Sequence, residues 1–217
     1  QNKNSQFFGG TSTVAAKATR VRARIVAQTI NEQMQASDKV FIMGHDNEDY
    51  DAIGSAIGMA KLSLSLNKET YIVLSGRNDN VNRISEMLAR ESIKVNDHEE
   101  DYNSIMVEEA EALKHITPNS LLVLVDHHRE ILTASKSVLE AIPKRIIVDH
   151  HRRSEDLLAD TVLLYLEPSS SSTSELLTEL VGYFNDRLEF TPVEATALYS
   201  GIVLDTKNFA VQTGERN

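Results

Sequence analysis

“LLVLVDHHR” (121–129) and “RIIVDHHR” (145–152) are the two stretches that decide the fold, because each ends a run of aliphatic residues in the same polar string. Short continuous apolar runs of this kind are typical of strands that are buried on both faces, as in parallel sheets. The residues that flank the two copies do not align, and no longer period connects them. We therefore interpret the copies as two parallel strands that end beside one crevice, and not as a duplicated unit.

The rest of the chain alternates between strand-like and helix-like patterns from Lys39 onward. Further strands are predicted at 39–43 and 70–76, and helices at 52–66, 82–92, 174–184 and 192–206. The acidic stretch 95–115 is predicted to be a surface excursion, and the Ser-rich stretch 169–174 to cap the helix that follows it. The alternation predicts an α/β fold with a mostly parallel β-sheet flanked by helices on both faces.

The composition excludes several classes of function. The 217 residues include 32 acidic and 22 basic side chains, a net charge of -10, which disfavours a surface for long nucleic acid. Cysteine is absent, so disulfides and thiolate metal sites are excluded. The sequence has no apolar run of membrane-spanning length and no signal-peptide pattern.

The first 36 residues are predicted to be a connection outside the main domain. They read as a linker with an amphipathic helix that follows a missing upstream domain, while residues 37–217 form the main domain. Three arginines lie on this helix: Arg20, Arg22 and Arg24. Contact with acidic lipid or nucleic acid is one interpretation, but we favour a solvated helix face.

The candidate site residues follow the apolar runs, where the carboxyl ends of parallel strands meet. Six of them are candidate metal ligands: His45, Asp49, Asp51, Asp126, His150 and Asp205. For the first loop, “GHDNEDYD” (44–51), the alternative is that Asp51 only caps the next helix and His45 is an ordinary loop residue.

Four carboxylates and two imidazoles without sulfur suit hard or borderline divalent ions, with manganese or magnesium favoured over zinc. The carboxylates would repel one another in one crevice, and two divalent cations would offset their four charges. A pair of such ions suits phosphoryl hydrolysis, because one activates water and both hold the phosphate.

The ordered motifs “GHDNEDYDAIGS” (44–55), “LLVLVDHHR”, “RIIVDHH” and “GIVLDTKNF” (201–209) resemble those of the DHH phosphoesterase superfamily. With the flanks “TRVRARIVAQTI” (19–30) and “SSSTSELLTEL” (170–180), nearly the whole chain resembles the GdpP (YybT)-type cyclic-di-AMP phosphodiesterases. Residues 37–217 would then be a DHH phosphoesterase domain. In many relatives a proline or an apolar residue precedes the first motif aspartate; here Asp46 and Glu48 flank it, which makes the loop more acidic.

The resemblance implies a role for each motif residue. One metal would be held by His45, Asp49 and Asp126, and the second by Asp51, Asp126, His150 and Asp205, so that Asp126 bridges the two. His151 would face the substrate phosphate, and Asp149 would orient the imidazoles. The remaining residues of the first copy, His127, His128 and Arg129, are either phosphate contacts or ordinary neighbours, and we favour an ordinary neighbour for His127.

The function implied by the resemblance is hydrolysis of cyclic-di-AMP to linear pApA by water activated by two Mn²⁺, with Mg²⁺ or Co²⁺ as alternatives. Two other functions stay open: a related DHH nuclease acting on short oligonucleotides, and an inactive fragment that only binds metal. By the same resemblance we expect the smaller associated domain of the family, whose glycine-rich motif recognises the nucleotide, and the upstream membrane helices to lie outside this sequence. The resemblance therefore implies a cytoplasmic domain of a membrane-anchored protein, and a homodimer is left open.

Overall fold

The computed structural model describes the backbone of residues 5–8, 15–95, 98–158, 161–184, 188–208 and 210. Its helices are α1 (Ala15–Gln35), α2 (Tyr50–Ser65), α3 (Asp79–Leu88), α4 (Glu109–His115), α5 (Lys136–Ala141), α6 (Thr173–Phe184) and α7 (Pro192–Asp205). Its strands are β1 (Ser5–Phe8), β2 (Lys39–Met43), β3 (Glu69–Leu74), β4 (Ser92–Val95), β5 (His98–Asp101), β6 (Met106–Glu108), β7 (Leu121–Val125), β8 (Arg145–Asp149) and β9 (Thr161–Leu166).

Seven strands form one sheet in the order β1-β9-β8-β7-β2-β3-β6, and all neighbouring strands are parallel. The two repeated stretches are the neighbours β7 and β8, with Val125 paired to Val148. From β2 the chain proceeds to one side of the sheet through β3 and β6, and from β7 to the other side through β8 and β9. The loops after β2 and β7 therefore diverge and leave a crevice at the carboxyl edge, which is where open parallel sheets bind ligands.

Successive residues of β7 face opposite sides of the sheet, and each side has its own core. Leu121, Val123 and Val125 pack with buried residues of α1, α2, α6 and α7. Leu122 and Leu124 pack with residues of α4 and α5 on the other side. This confirms the predicted parallel α/β sheet with helices on both faces, and it explains the unbroken apolar runs, since neither face of these strands meets water.

Helix α1 contributes directly to the first core. Its inward face includes Val26, Ile30 and Met34, which are fully buried in the same cluster as the sheet residues. Arg20 and Arg24 are exposed on the outer face. The predicted boundary at residue 36 and the upstream domain stay predictions. None of the helices in the described ranges combines the length and the apolar character that crossing a bilayer requires.

The prediction of a surface excursion at 95–115 is wrong for the part that the structure describes. Residues 106–108 form β6, which pairs with β3 in the main sheet, and Tyr102 and Ile105 are buried. The Tyr102 hydroxyl donates a hydrogen bond to Glu194, a fully buried residue in the first turn of α7, and Lys61 Nζ lies 3.0 Å from the same carboxylate. The few apolar residues among many acidic ones were too short a pattern to reveal these contacts.

Candidate metal centre

All six candidate ligands meet at the carboxyl edge of the sheet, in two groups. His45, Asp49 and Asp126 form one, and Asp51, His150 and Asp205 the other; in each, the ligand atoms lie within 4.8 Å of one another. Two ligands of one octahedral ion, each about 2.1 Å from it, are about 3 Å apart, so these groups are close to the size that an ion needs.

Asp126 lies between the two groups and presents one carboxylate oxygen to each. Its Oδ2 is 3.6 Å from His45 Nε2, and its Oδ1 is 3.6 Å from His150 Nε2. It follows β7 with a φ of 63°, in the left-handed region that costs a non-glycine residue about 1–2 kcal/mol. The backbone holds this conformation, since Asp126 N–H donates to Val148 O at 3.1 Å and the Thr173 hydroxyl donates to Oδ1 at 2.9 Å.

Asp51 is held by the start of helix α6. The backbone N–H of Thr173 donates to its Oδ2 at 2.7 Å, and that of Ser174 donates to its Oδ1 at 2.8 Å. The N–H groups of a helix N-terminus favour an anion, and here the anion is a side chain of the site. The predicted capping is present as well, because Ser172 Oγ accepts from the N–H of Glu175 at 3.0 Å.

The two ligand groups together are called the cage below. Asp49 belongs to the cage and also caps a helix. Its Oδ1 accepts the N–H groups of Asp51 and Ala52 at the start of α2, at 2.9 and 3.0 Å. The first loop therefore carries candidate ligands and also caps a helix, the two interpretations that the sequence left open. The cap is Asp49 and not Asp51.

Helix α7 brings Asp205 to the second group because it packs unusually close to Asp51. A Cβ at Gly201 would lie 2.8 Å from Asp51 Oδ1 and 2.4 Å from Ser174 Oγ, so only glycine permits this approach. At the end of the same helix, Asp205 Oδ2 lies 3.2 Å from His150 Nε2.

The histidines direct ring nitrogen atoms toward the carboxylates. His45 Nδ1 donates to the Asp46 carbonyl at 2.9 Å, which directs Nε2 toward Asp49 and Asp126. His150 Nε2 is buried and has no hydrogen-bond partner among the described residues. A buried ring nitrogen surrounded by carboxylates fits a cation between them.

The electrostatics of the cage also favour added positive charge. Burial, with the nearby charges of Asp51 and Asp49, raises the pKa of Asp126 well above its usual range. Burial and the charge of Asp205 raise the pKa of Asp51. The Asp49 carboxylate, 3.6 Å from Nε2, outweighs burial and raises the pKa of His45 to about 9. All three shifts favour a proton in the cage, and cations would occupy it in the proton's place.

Asp149 connects the two copies of the repeated string. His128 Nδ1 donates to its Oδ2 at 2.5 Å, and His151 Nδ1 contacts its Oδ1 at 2.7 Å. The tautomer of His128 follows from its other nitrogen, which accepts the backbone N–H of Ser154 at 3.2 Å. Although burial opposes ionisation, these two hydrogen bonds lower the pKa of Asp149, so it stays ionised. The copies therefore contribute different residues to one arrangement.

The cage opens into a cavity of about 1030 Å³. Its walls include residues that the sequence did not single out: Ile131, Leu132, Arg152, Ser154 and Pro168. Arg152 ends the second repeated string but was given no role, and the other four carry no motif, because they belong to loops that only the fold brings to the edge of the sheet.

Two of the residues with open roles, Arg129 and His127, line the cavity, but only Arg129 is engaged in an ion pair, while His127 Nε2 is buried without a hydrogen-bond partner among the described residues. Arg129 pairs with Asp156, with Nη2 2.7 Å from Oδ2. His127 is buried, and burial lowers its pKa to about 4. Glu48 is also buried, and its carboxylate accepts from the N–H of Ser75 at 2.6 Å, so the expected acidity of the first loop at the cavity comes from Asp46.

Comparisons with known proteins agree with this architecture. The family model described as “DHH family, N-terminal domain” matches residues 39–202. “Cyclic-di-AMP phosphodiesterase PdeA” of Listeria monocytogenes serotype 1/2a (strain 10403S) is 39% identical over 211 residues, 97% of this chain and 31% of that protein. “Cyclic-di-AMP phosphodiesterase GdpP” of Bacillus subtilis (strain 168) is 38% identical over 215 residues, 99% of this chain and 32% of that protein.

The chain thus spans about a third of the length of these curated relatives. Among solved structures, an exopolyphosphatase-related protein from Bacteroides fragilis superposes with a TM-score of 0.64 at 23% identity, covering 90% of this chain and 53% of that one. That likeness concerns the fold alone.

Proposed function

Because the family model covers residues 39–202, this chain belongs to the DHH family, and we propose that it is the metal-binding catalytic part of a cyclic-di-AMP phosphodiesterase. The reaction would be hydrolysis of one 3′–5′ linkage to give linear pApA. The observation that carries the proposal is the position of Asp126, which gives one oxygen to each of two ligand groups. The names of the two curated relatives support the choice of substrate.

The proposed ligands follow the two groups. His45, Asp49 and Asp126 would hold one ion, while Asp126 would join Asp51, His150 and Asp205 around the other: two Mn²⁺, for which the all-oxygen-and-nitrogen donor set is suited. Bound in pairs, such ions supply positive charge to a phosphate and make a water molecule acidic enough to attack it near neutral pH.

His151 and Asp149 would act on the substrate side of the cage. His151 is 56% exposed at the cavity, and its Nδ1 is committed to Asp149, so its Nε2 edge is left for a phosphate oxygen. Asp149 would fix the direction of that edge, because it is fully buried and held from its other side by His128. Such an oriented donor is most effective where charge develops on the phosphate.

The test is Asp126→Asn in the manganese-loaded protein, with cyclic-di-AMP hydrolysis as the measurement. Since both ions would lose a ligand charge, we expect turnover to fall by more than about 100-fold. Asp46→Asn is the matched control, because Asp46 lines the same cavity outside both groups and its removal should change turnover by less than about threefold. A D126N protein that keeps most of its activity would contradict the proposed function.

The same assay separates the other two functions. A nuclease for short oligonucleotides would cleave linear pApA faster than cyclic-di-AMP. A chain that only binds metal would take up manganese in calorimetry and cleave neither substrate.

A further inference from the structure

The charges around the cavity are strongly unbalanced. Five of the lining residues are acidic: Asp46, Asp49, Asp126, Asp149 and Asp205. Two divalent cations would offset the four carboxylate charges of the cage. A substrate with two phosphates has a second negative charge, however, and that phosphate would lie outside the cage. That second phosphate needs a cationic partner in the cavity.

Of the residues that the structure describes, two arginines line the cavity, and the guanidinium of only one of these two is without an ion pair or hydrogen bond. Arg129 is neutralised by Asp156, whose Oδ2 accepts from Nε at 2.8 Å and lies 2.7 Å from Nη2. Arg152 is exposed, and among the described residues its guanidinium makes no ion pair or hydrogen bond. It follows His151 directly, so it extends from the rim where the proposed phosphate contact lies.

An apolar surface adjoins this arginine in the same cavity. Ile131 and Leu132 belong to the 3-10 turn Glu130–Leu132 and are 78% and 41% exposed. Large apolar side chains that stay exposed within a cavity are typical of ligand-binding surfaces. The volume of about 1030 Å³ is also far larger than one phosphodiester group requires.

We propose that Arg152 binds the phosphate that is not cleaved, with Ile131 and Leu132 against the nucleoside beside it. The guanidinium offers two parallel N–H groups that match phosphate oxygens, which a lysine cannot reproduce. The ligand class is a dinucleotide with a second phosphate, either cyclic or linear with a 5′-phosphate. The inference rests on the proposed phosphodiesterase function and assigns its substrate preference to one side chain.

Two linear dinucleotides isolate this contact when their internal 3′–5′ linkage, the one phosphodiester left to hydrolyse, lies at the two ligand groups. The 5′-phosphate of pApA, which ApA lacks, is then the phosphate that is not cleaved. Their dissociation constants for the manganese-loaded protein can be measured by calorimetry, independently of turnover. We expect the wild type to bind pApA at least about 10-fold more tightly than ApA, since one hydrogen bond between charged groups changes a dissociation constant by about that factor. In Arg152→Gln the ratio should fall to near one, and in Arg152→Lys to an intermediate value.

Arg153→Gln is the matched control, because this neighbour has the same charge and exposure but does not line the cavity. It should keep the wild-type ratio, and both variants should take up the same amount of manganese as the wild type. For cyclic-di-AMP hydrolysis, R152Q should raise KM by at least about 10-fold, with a smaller change in kcat.

The two proposals fail in different ways. If R152Q keeps the preference for pApA over ApA, or if R153Q loses it equally, the assignment of Arg152 is wrong. A wild type that binds both dinucleotides but hydrolyses no phosphodiester would instead contradict the proposed function.

Discussion

Asp149 illustrates how much of this site depends on single buried hydrogen bonds. Its two oxygens are satisfied by two different histidines, at 2.5 Å to His128 and 2.7 Å to His151. Without His128, a buried ionised oxygen would lose its donor, which leaves it unsatisfied and free to turn toward other partners. The direction of His151 would then no longer be fixed, although none of the proposed metal ligands would have changed.

At the scale of single residues we predict that His128→Ala lowers kcat for cyclic-di-AMP about 10- to 100-fold. This is the effect of removing residues that orient the groups of a metal site through hydrogen bonds. His128→Asn should recover part of this loss, because its amide can donate near the position of Nδ1. Steady-state kinetics with manganese calorimetry checks both variants, and manganese uptake should not change.

His115→Ala provides a control for the histidine change, since His115 contacts Glu111 on α4, outside the site. It should retain wild-type kcat. An H128A protein with wild-type kcat would show that the hydrogen bond to Asp149 is not needed for catalysis.

At the scale of elements, the cage depends on how closely two helices approach. The first turn of α2 carries Asp51, the last turn of α7 carries Asp205, and Gly201 faces Asp51 between them. Glycine lowers the stability of a helix interior by about 0.8–1 kcal/mol relative to alanine, so its presence here is a cost that the close approach requires.

We therefore predict opposite effects for two glycine-to-alanine changes. Gly201→Ala would place a Cβ 2.4 Å from Ser174 Oγ and should lower the free energy of unfolding by about 1–3 kcal/mol. Gly182→Ala in α6 meets no atom within 4 Å and should raise it by up to about 1 kcal/mol. Urea unfolding of the metal-free variants gives both values, and a G201A protein as stable as G182A would contradict the packing argument.

At the scale of the whole molecule, bound cations would tie together parts of the chain that are distant in sequence. The ligands run from His45 to Asp205 and come from the ends of β2, β7, β8 and α7. An ion that binds only the folded arrangement stabilises it by mass action, by about 2.7 kcal/mol at 100 times its dissociation constant.

Manganese should therefore raise the melting temperature of the wild type, and calorimetry should find two ions per chain. Asp205→Asn should weaken one of them and reduce the rise in melting temperature, because Asp205 belongs to one group only. Glu140→Asn, a change on the exposed surface of α5, should leave both measurements unchanged. One ion per wild-type chain would contradict the assignment of two groups.

The sequence was sufficient for the features that repeat a local pattern, and insufficient for those that depend on distant contacts. The apolar runs of β7 and β8 and the six candidate ligands were all visible, because each ligand lies in a polar string that follows an apolar run of the sequence. The contacts of Thr173 with Asp51 and Asp126 were not, since they join residues 122 and 47 positions apart. The short helices α4 and α5 also escaped prediction, because six or seven residues display too little of a helical period. Strand β9 was missed although its apolar run is as long as those of β7 and β8.

Helix α7 is a rod about 21 Å long, since each of its 14 residues adds about 1.5 Å. Asp205 lies at one end. Near the other end, Glu194 accepts a hydrogen bond from Tyr102 and forms an ion pair with Lys61. A substitution that displaces Glu194 can therefore shift the whole helix and move Asp205 out of the proposed metal centre. A survey of inactivating substitutions would be expected to find a second cluster around this distant anchor, where no reacting atom is near.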